Sequence, residues 1–172
     1  MSHQTPNVTE EYYEYYQQYI DLAIHRPLDR ALIEGMEETA ALFKSIPEEK
    51  QEYSYAPNKW TPKDILLHII DCERVFAHRA LWFARTENAV IQGFEQDEFA
   101  NNSKANSRTM DSLLEEFKSV RKASITLFES IAEEDRLRKG EASGHILSVR
   151  AAGYIIAGHE VHHINVIKDR YL

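Results

Sequence analysis

Ser148-Val-Arg-Ala-Ala-Gly-Tyr-Ile-Ile-Ala-Gly-His-Glu-Val-His-His163 is the stretch from which the rest of the chain is read. A serine ahead of an apolar run is a helix start, because its hydroxyl accepts from a free amide of the first turn. The helix is expected to continue to about Arg170. His159 and His163, four residues apart, lie one turn apart on the same face. Ala152, Ile155, Ile156, Val166 and Arg170 share that face, so two imidazoles interrupt a core stripe. An unpaired buried polar group costs ~1–3 kcal/mol, so each ring needs a partner. One divalent metal serves both, with bonds of ~2.0–2.1 Å in the case of zinc. The pair therefore reads as half of a metal site. Two other readings stay open. The rings are core histidines hydrogen-bonded to neighbours, or His162, about 60° to the other side of His159, is the inward ring.

The pentapeptide His159-Glu160-Val161-His162-His163 also matches H-E-x-x-H, the helix signature of zinc proteases. In its common extended form that chemistry needs glycine three residues after the second histidine and a third ligand three residues further on. Val166 and Asp169 stand there instead. A metalloprotease is not expected, and the third ligand should come from earlier in the chain.

With 172 residues, 43% apolar and 28% charged, the chain is expected to be one soluble domain over 1–172, with 1–9 loosely ordered. A net charge of −8 argues against a nucleic-acid or anionic-membrane partner, which calls for a basic footprint. Neither a signal peptide nor a run of transmembrane length is apparent. A single cysteine, Cys72, allows no internal disulfide. Together these features suggest a cytoplasmic protein.

All five prolines fall at or before Pro62, leaving the remaining chain free to form long helices. Residues 10–23 carry many tyrosines, suited to a half-wet segment laid across a bundle. Residues 29–46, with Leu28 just ahead of them, show Ala31, Leu32, Met36, Thr39, Ala40, Leu42 and Phe43 at helical spacing. Gly35 inside it either admits a close neighbour or weakens the helix. Residues 53–57 are expected to be extended. Thr61 then reads as an N-cap, Pro62 as the first helical residue and Asp64 as the reciprocal partner of a capping box, with Trp60 and Ile65 as a hydrophobic staple. This second helix should run to about Thr86, with Ile65, His68, Cys72, Val75 and Arg79 along one stripe.

His68 is the nominated third ligand. Alone, it would be read as a satisfied core histidine. Cys72, one turn on, is an alternative ligand or a small buried hydrophobe. Asp71 is a possible ligand or an acceptor that orients the imidazole. Arg79, about 16 Å along the helix from His68, could bind a carboxylate or phosphate, although a surface arginine with its stem packed down is the simpler reading.

Residues 87–108 lack periodicity. This long loop carries Glu95, Asp97 and Glu98, and its 93–99 segment is a candidate lid. Thr109 caps a third helix to about Ala132, with Leu113, Leu114, Phe117, Val120, Ile125, Leu127 and Phe128 inward and Lys118, Arg121 and Lys122 on a charged face. Gly140 to Gly144 read as a turn, and no segment offers a convincing strand. The expectation is an all-α four-helix bundle, in which metal sites are built from facing helices.

Several segments in order resemble the DinB/YfiT-like superfamily: Tyr-Ala-Pro-Asn-Lys-Trp-Thr at 55–61, Leu-His-Ile-Ile-Asp-Cys-Glu-Arg at 67–74, Ala-Leu-Trp-Phe-Ala-Arg at 80–85, Gly-Phe-Glu-Gln-Asp-Glu-Phe at 93–99 and the quoted 148–163 stretch. The resemblance implies an up-down-down-up four-helix bundle. It also implies a divalent metal (zinc, nickel or iron) held by one histidine of the second helix and an i, i+4 pair of the fourth. Those positions match His68, His159 and His163, which moves the choice from His162 to His163. Members of this superfamily include metal-dependent hydrolases and thiol-dependent transferases or isomerases that use bacillithiol or mycothiol, and many are homodimers.

Three neutral imidazoles with an open position suit either a thiol S-transferase, narrowly favoured on family grounds, or a hydrolase that activates water. A non-catalytic metal-binding or interaction bundle is the competing class. Glu160, about 100° round the helix from His159, is poorly aimed as a general base, so no catalytic acid or base is assigned.

Overall fold

The computed structural model describes residues 6 and 10–172 of the chain. The expectation of loose order at 1–9 falls, Pro6 apart, outside them. Six α-helices are present among the described residues: α1 (Gln17–Ala23), α2 (Leu28–Lys44), α3 (Pro62–Arg85), α4 (Gln96–Asn102), α5 (Met110–Ser130) and α6 (Val149–Arg170). A small sheet accompanies them, formed by β1 (Val90–Ile91), β2 (Lys139–Ala142) and β3 (His145–Ser148) in that spatial order.

The long helices form where their caps and apolar spacing place them. Thr61 Oγ1 accepts from the Asp64 amide at 3.1 Å, while the Asp64 carboxylate accepts from the Thr61 amide at 2.9 Å. The capping box thus starts α3 at Pro62. Thr109 accepts from Ser112 N at the head of α5, and Ser148 from Ala151 N at the head of α6. The first half of α6 is buried on every side, from Ala151 to Glu160. A helix apolar all round belongs in the middle of a fold, and the other elements pack about it.

Contacts between side chains give the directions. Leu28 of α2 meets Gly153, and Thr39 meets Glu160, so α2 and α6 run the same way. His68 of α3 meets His159, and Trp60 just ahead of it meets Tyr171, so α3 runs opposite to α6. In α5, Phe128 lies near Gly153 and Arg121 bonds Glu160, again opposite to α6. The bundle is therefore up-down-down-up.

Helix α1, from the tyrosine-rich segment, lies across α6. A Cβ on Gly158 would come within 1.7 Å of the Tyr19 carbonyl oxygen, so only glycine allows this approach. Gly35 plays the comparable part in α2, where a Cβ would meet Glu160 Oε2 at 2.7 Å.

Three expectations need correction. Residues 87–108 are not one structureless loop, because they hold β1, α4 and a short 3-10 turn at Ala105–Ser107. Gly140 to Gly144 is not simply a turn. β2 and β3 form an antiparallel hairpin in which Gly140 pairs with Leu147, and only Ser143 and Gly144, both at positive φ, make the two-residue turn. These strands are two to four residues long, and Lys-Gly-Glu-Ala carries little β-propensity, so period-2 alternation has too few positions to register. Within 53–57, residues 55 and 56 bend rather than extend, leading into a turn at Pro57 and Asn58, the latter with φ of 60°. Among the described residues, no helix is long and apolar enough to cross a membrane.

Candidate metal centre

Three imidazoles meet where α3 and α6 face each other. The capped start of α3 sets His68 two turns in, and antiparallel α6 presents His159 and His163 to it. His159 Nε2 lies 3.0 Å from His68 Nε2 and 3.1 Å from His163 Nε2. The ring centroids form a nearly equilateral triangle of 4.8, 4.9 and 4.5 Å. Hydrogen bonding cannot explain both short distances. A ring nitrogen has either one proton or one lone pair in the ring plane, so His159 Nε2 can satisfy only one neighbour. Around a tetrahedral zinc with bonds of ~2.0–2.1 Å, donor atoms lie about 3.3 Å apart, within a few tenths of these separations.

Protonation fits the same donor set. Burial pushes His68 down to about 4, against a smaller opposing pull from Asp97. Burial and then the His68 ring push His159 down to about 3. His163 is lowered too, by burial first and then by the other rings. All three are neutral at physiological pH, the state that ligation requires. His163 Nδ1 is buried without a hydrogen-bond partner among the described residues.

Cys72 overlaps this set, since a ligand atom from each of His68, Cys72 and His159 falls within 4.8 Å of the others. Its Sγ, however, is 3.6 Å from both nitrogens of His68, beside the ring rather than on the axis of one nitrogen. Burial pushes the thiol up to about 12. Using it as a ligand would mean removing a firmly held proton, whereas three nitrogens need lose none.

Aromatic rings surround the cluster. Trp60 lies 4.5 Å from His68 and 6.3 Å from His163, centroid to centroid. Tyr19 stands edge-on to His159 at 5.3 Å and to His162 at 5.5 Å. His162 itself is half-buried against Tyr19 and His163, outside the point where the three Nε2 atoms meet. A cavity of about 350 Å³, lined by Tyr55, Trp60, Asp97, His163, Val166 and Tyr171 among others, opens on His163.

The remaining candidates are elsewhere. Asp71 pairs with Arg74 at 3.4 Å rather than with His68, and burial raises its carboxyl. Glu160 points away from the imidazoles into the bundle, where it accepts from Thr39 Oγ1 at 2.5 Å and Arg121 Nη1 at 2.7 Å. Arg121 is the clearest correction. It is 0% exposed, and it also donates to Glu73 at 2.8 and 2.9 Å and to the Leu32 carbonyl at 3.1 Å. Burial opposes its charge, but Glu160 and Glu73 outweigh that and hold its pKa above the usual arginine value. Arg79 is a second correction: at 1% exposure it is not a surface arginine, because the unforeseen hairpin covers it.

Sequence reasoning gave Trp60 only a capping role and Tyr19 only a packing one. Their aromatic character was legible, but their contact with the histidines depends on tertiary placement. Asp97 was visible as an acid, and the structure sets it in the first turn of α4 and on the cavity wall.

The chain matches the DinB superfamily model over residues 31–167. No curated protein matches it significantly. Among solved structures it is similar to YfiT from Bacillus subtilis, described as a probable metal-dependent hydrolase with an unusual four-helix bundle topology, with a TM-score of 0.70 at 12% identity over 98% of this chain and 90% of that one. A DinB-like protein of B. subtilis, YjoA, gives 0.60 at 17% identity over 82% and 86%. The mycothiol-dependent maleylpyruvate isomerase gives 0.60 at 13% identity over 83% of this chain, which spans only 61% of that protein.

Proposed function

The chain belongs to the DinB superfamily, and from that premise we propose that it is an enzyme acting on a small molecule through a divalent transition metal held by Nε2 of His68, His159 and His163. The observation that carries this reading is the meeting of those three nitrogens at 3.0 and 3.1 Å on neutral rings. A metal bound there, whether zinc, nickel or iron, supplies acidification of a thiol or water that joins it.

The favoured chemistry is thiol transfer, with a low-molecular-weight thiol as co-substrate. Of the acids considered for the site, Glu160 is committed to Arg121 and Asp71 to Arg74. A thiol, once deprotonated, needs no further base. Trp60 and Tyr19 wall the centre with apolar surface and keep water away from a reactive sulfur. A hydrolase is the second reading, favoured by one observation: Asp97 shares the cavity wall with His163, where it could take a proton from attacking water. A homodimeric, cytoplasmic protein is part of the proposal.

The test pairs metal content with turnover of a small thiol and a chloro-nitroaromatic or epoxide electrophile. His68→Ala, His159→Ala and His163→Ala are each expected to lose both metal and turnover, and His162→Ala to keep the metal. Metal retained by His163→Ala and lost by His162→Ala would overturn the ligand set. Stoichiometric metal with neither thiol transfer nor ester hydrolysis would leave a non-catalytic metal-binding bundle.

A further inference from the structure

Arg79 is a buried cation without a counter-ion among the described residues. It is 1% exposed, and among the described residues it makes no ion pair. Residues 1–5 and 7–9 contain no Asp or Glu that could provide one. Its Nη2 donates to Ser143 Oγ at 3.0 Å, its guanidinium lies over Phe76 at 4.9 Å and near Phe94 at 5.7 Å, and the Tyr16 hydroxyl is beside it. Among the described residues its Nε has no hydrogen-bond partner. The other buried arginine, Arg121, has two carboxylates. Desolvating an unpaired charge costs several kcal/mol, a cost that an anion bound beside it would offset.

The position suits that role. His68 and Arg79 share a face of α3, about 16 Å apart by helix rise. The guanidinium lies over Phe76, about one turn toward the helix N-terminus, so it is set nearer to His68 than the helix rise alone gives. Tyr16 is close to both Arg79 and Cys72, and Cys72 Sγ is 3.6 Å from His68. Part of the cover is made of connections: Phe94 lies in the connector after β1, and Ser143 is at the tip of the hairpin.

We propose that Arg79 binds the carboxylate of the small molecule whose reacting end sits at His68, His159 and His163. This rests on the proposed function for the reacting end only; the anion site stands on Arg79 itself. A planar guanidinium with a free Nε and a nearby Nη matches a carboxylate in two-point fashion, which an ammonium cannot reproduce.

The experiment has two arms, both using the full chain, as wild type, Arg79→Lys and Arg79→Met. In metal-free protein, hexanoate is expected to raise the thermal midpoint of wild type, to do so at least ~10-fold less effectively in Arg79→Met, and to fall between in Arg79→Lys, while hexanol raises none of them. Equal responses of wild type and variants to hexanoate would overturn the anion site, whatever becomes of the metal. If Arg79→Met does not fold, Arg79→Lys carries the comparison. In cobalt-loaded protein, the thiolate-to-cobalt absorption band is titrated with mercaptohexanoate and mercaptohexanol. Wild type is expected to favour the carboxylate thiol by ~10-fold or more, and Arg79→Met to lose that preference. Hexanoate binding that depends on Arg79 in a chain that takes up no cobalt would sink the metal reading and spare the anion site. A carboxylate preference that survives in both variants would detach Arg79 from the metal-centred ligand.

Discussion

Neutral imidazole is what a metal requires, and burial imposes that state on His68 at about 4 and on His159 at about 3 before any cation arrives. The cost falls on the metal-free protein. In the unfolded chain these histidines titrate near 6.5. Their folded values are depressed, so below about pH 6.5 the unfolded state binds more protons, and stability declines as pH falls toward the folded values. The thermal midpoint of metal-free protein is therefore expected to drop between about pH 7 and pH 5, and His68→Gln, with one such ring fewer, should drop less. A midpoint that rose on acidification in wild type would contradict the burial of these rings. At this scale the sequence was most informative about the histidines, because periodicity alone puts His159 and His163 on one face. It was least informative about Arg121 and Arg79. Arg121 in fact continues the stripe Leu114, Phe117, Ser124 and Phe128 of α5, all of them buried. That spacing could have shown it to be internal, had charge not been read as exposure.

Elements hold the rings in register. The box at Thr61 and Asp64, braced by Asn106 against the Asp64 carboxylate, fixes the depth of His68 along α3. The crossing of α1 at Gly158 sets Tyr19 against His159. Gly158→Ala would drive a methyl group into the Tyr19 carbonyl, so α1 must lift. Overpacking of this kind costs ~1–3 kcal/mol or more, and metal affinity is expected to fall as Tyr19 leaves His159. Denaturant midpoints and metal titration read both effects, and an alanine variant as stable as wild type would show that the crossing is looser than described. Caps and periodicity made the four long helices legible to within about two residues at each end. The crossing was not, because a glycine in a helical pattern does not name its neighbour. The short strands were not, because they depend on pairing with each other and with Tyr12 across from Leu147 rather than on local propensity.

The whole molecule is organised around two buried polar centres between the same helices. In one, Arg121 of α5 ties Glu73 of α3 to Glu160 of α6, one guanidinium between two carboxylates. Burial raises the Glu160 carboxyl, and Arg121 and Thr39 pull it back. Removing the cation leaves both acids buried without it, so Arg121→Met is expected to lower unfolding free energy by about 3–5 kcal/mol, measured in urea. A variant within ~0.5 kcal/mol of wild type would show that the bundle does not depend on this link. The other centre joins His68 to two rings ninety or so positions later, a convergence that the chain order alone could suggest only through its likeness to a family. X-ray absorption fine structure on protein loaded with one equivalent of zinc tests it most directly. The account predicts only nitrogen and oxygen donors, with the scattering signature of three imidazoles. Sulfur bonded to the metal, or a signal unchanged in His68→Ala, would contradict it.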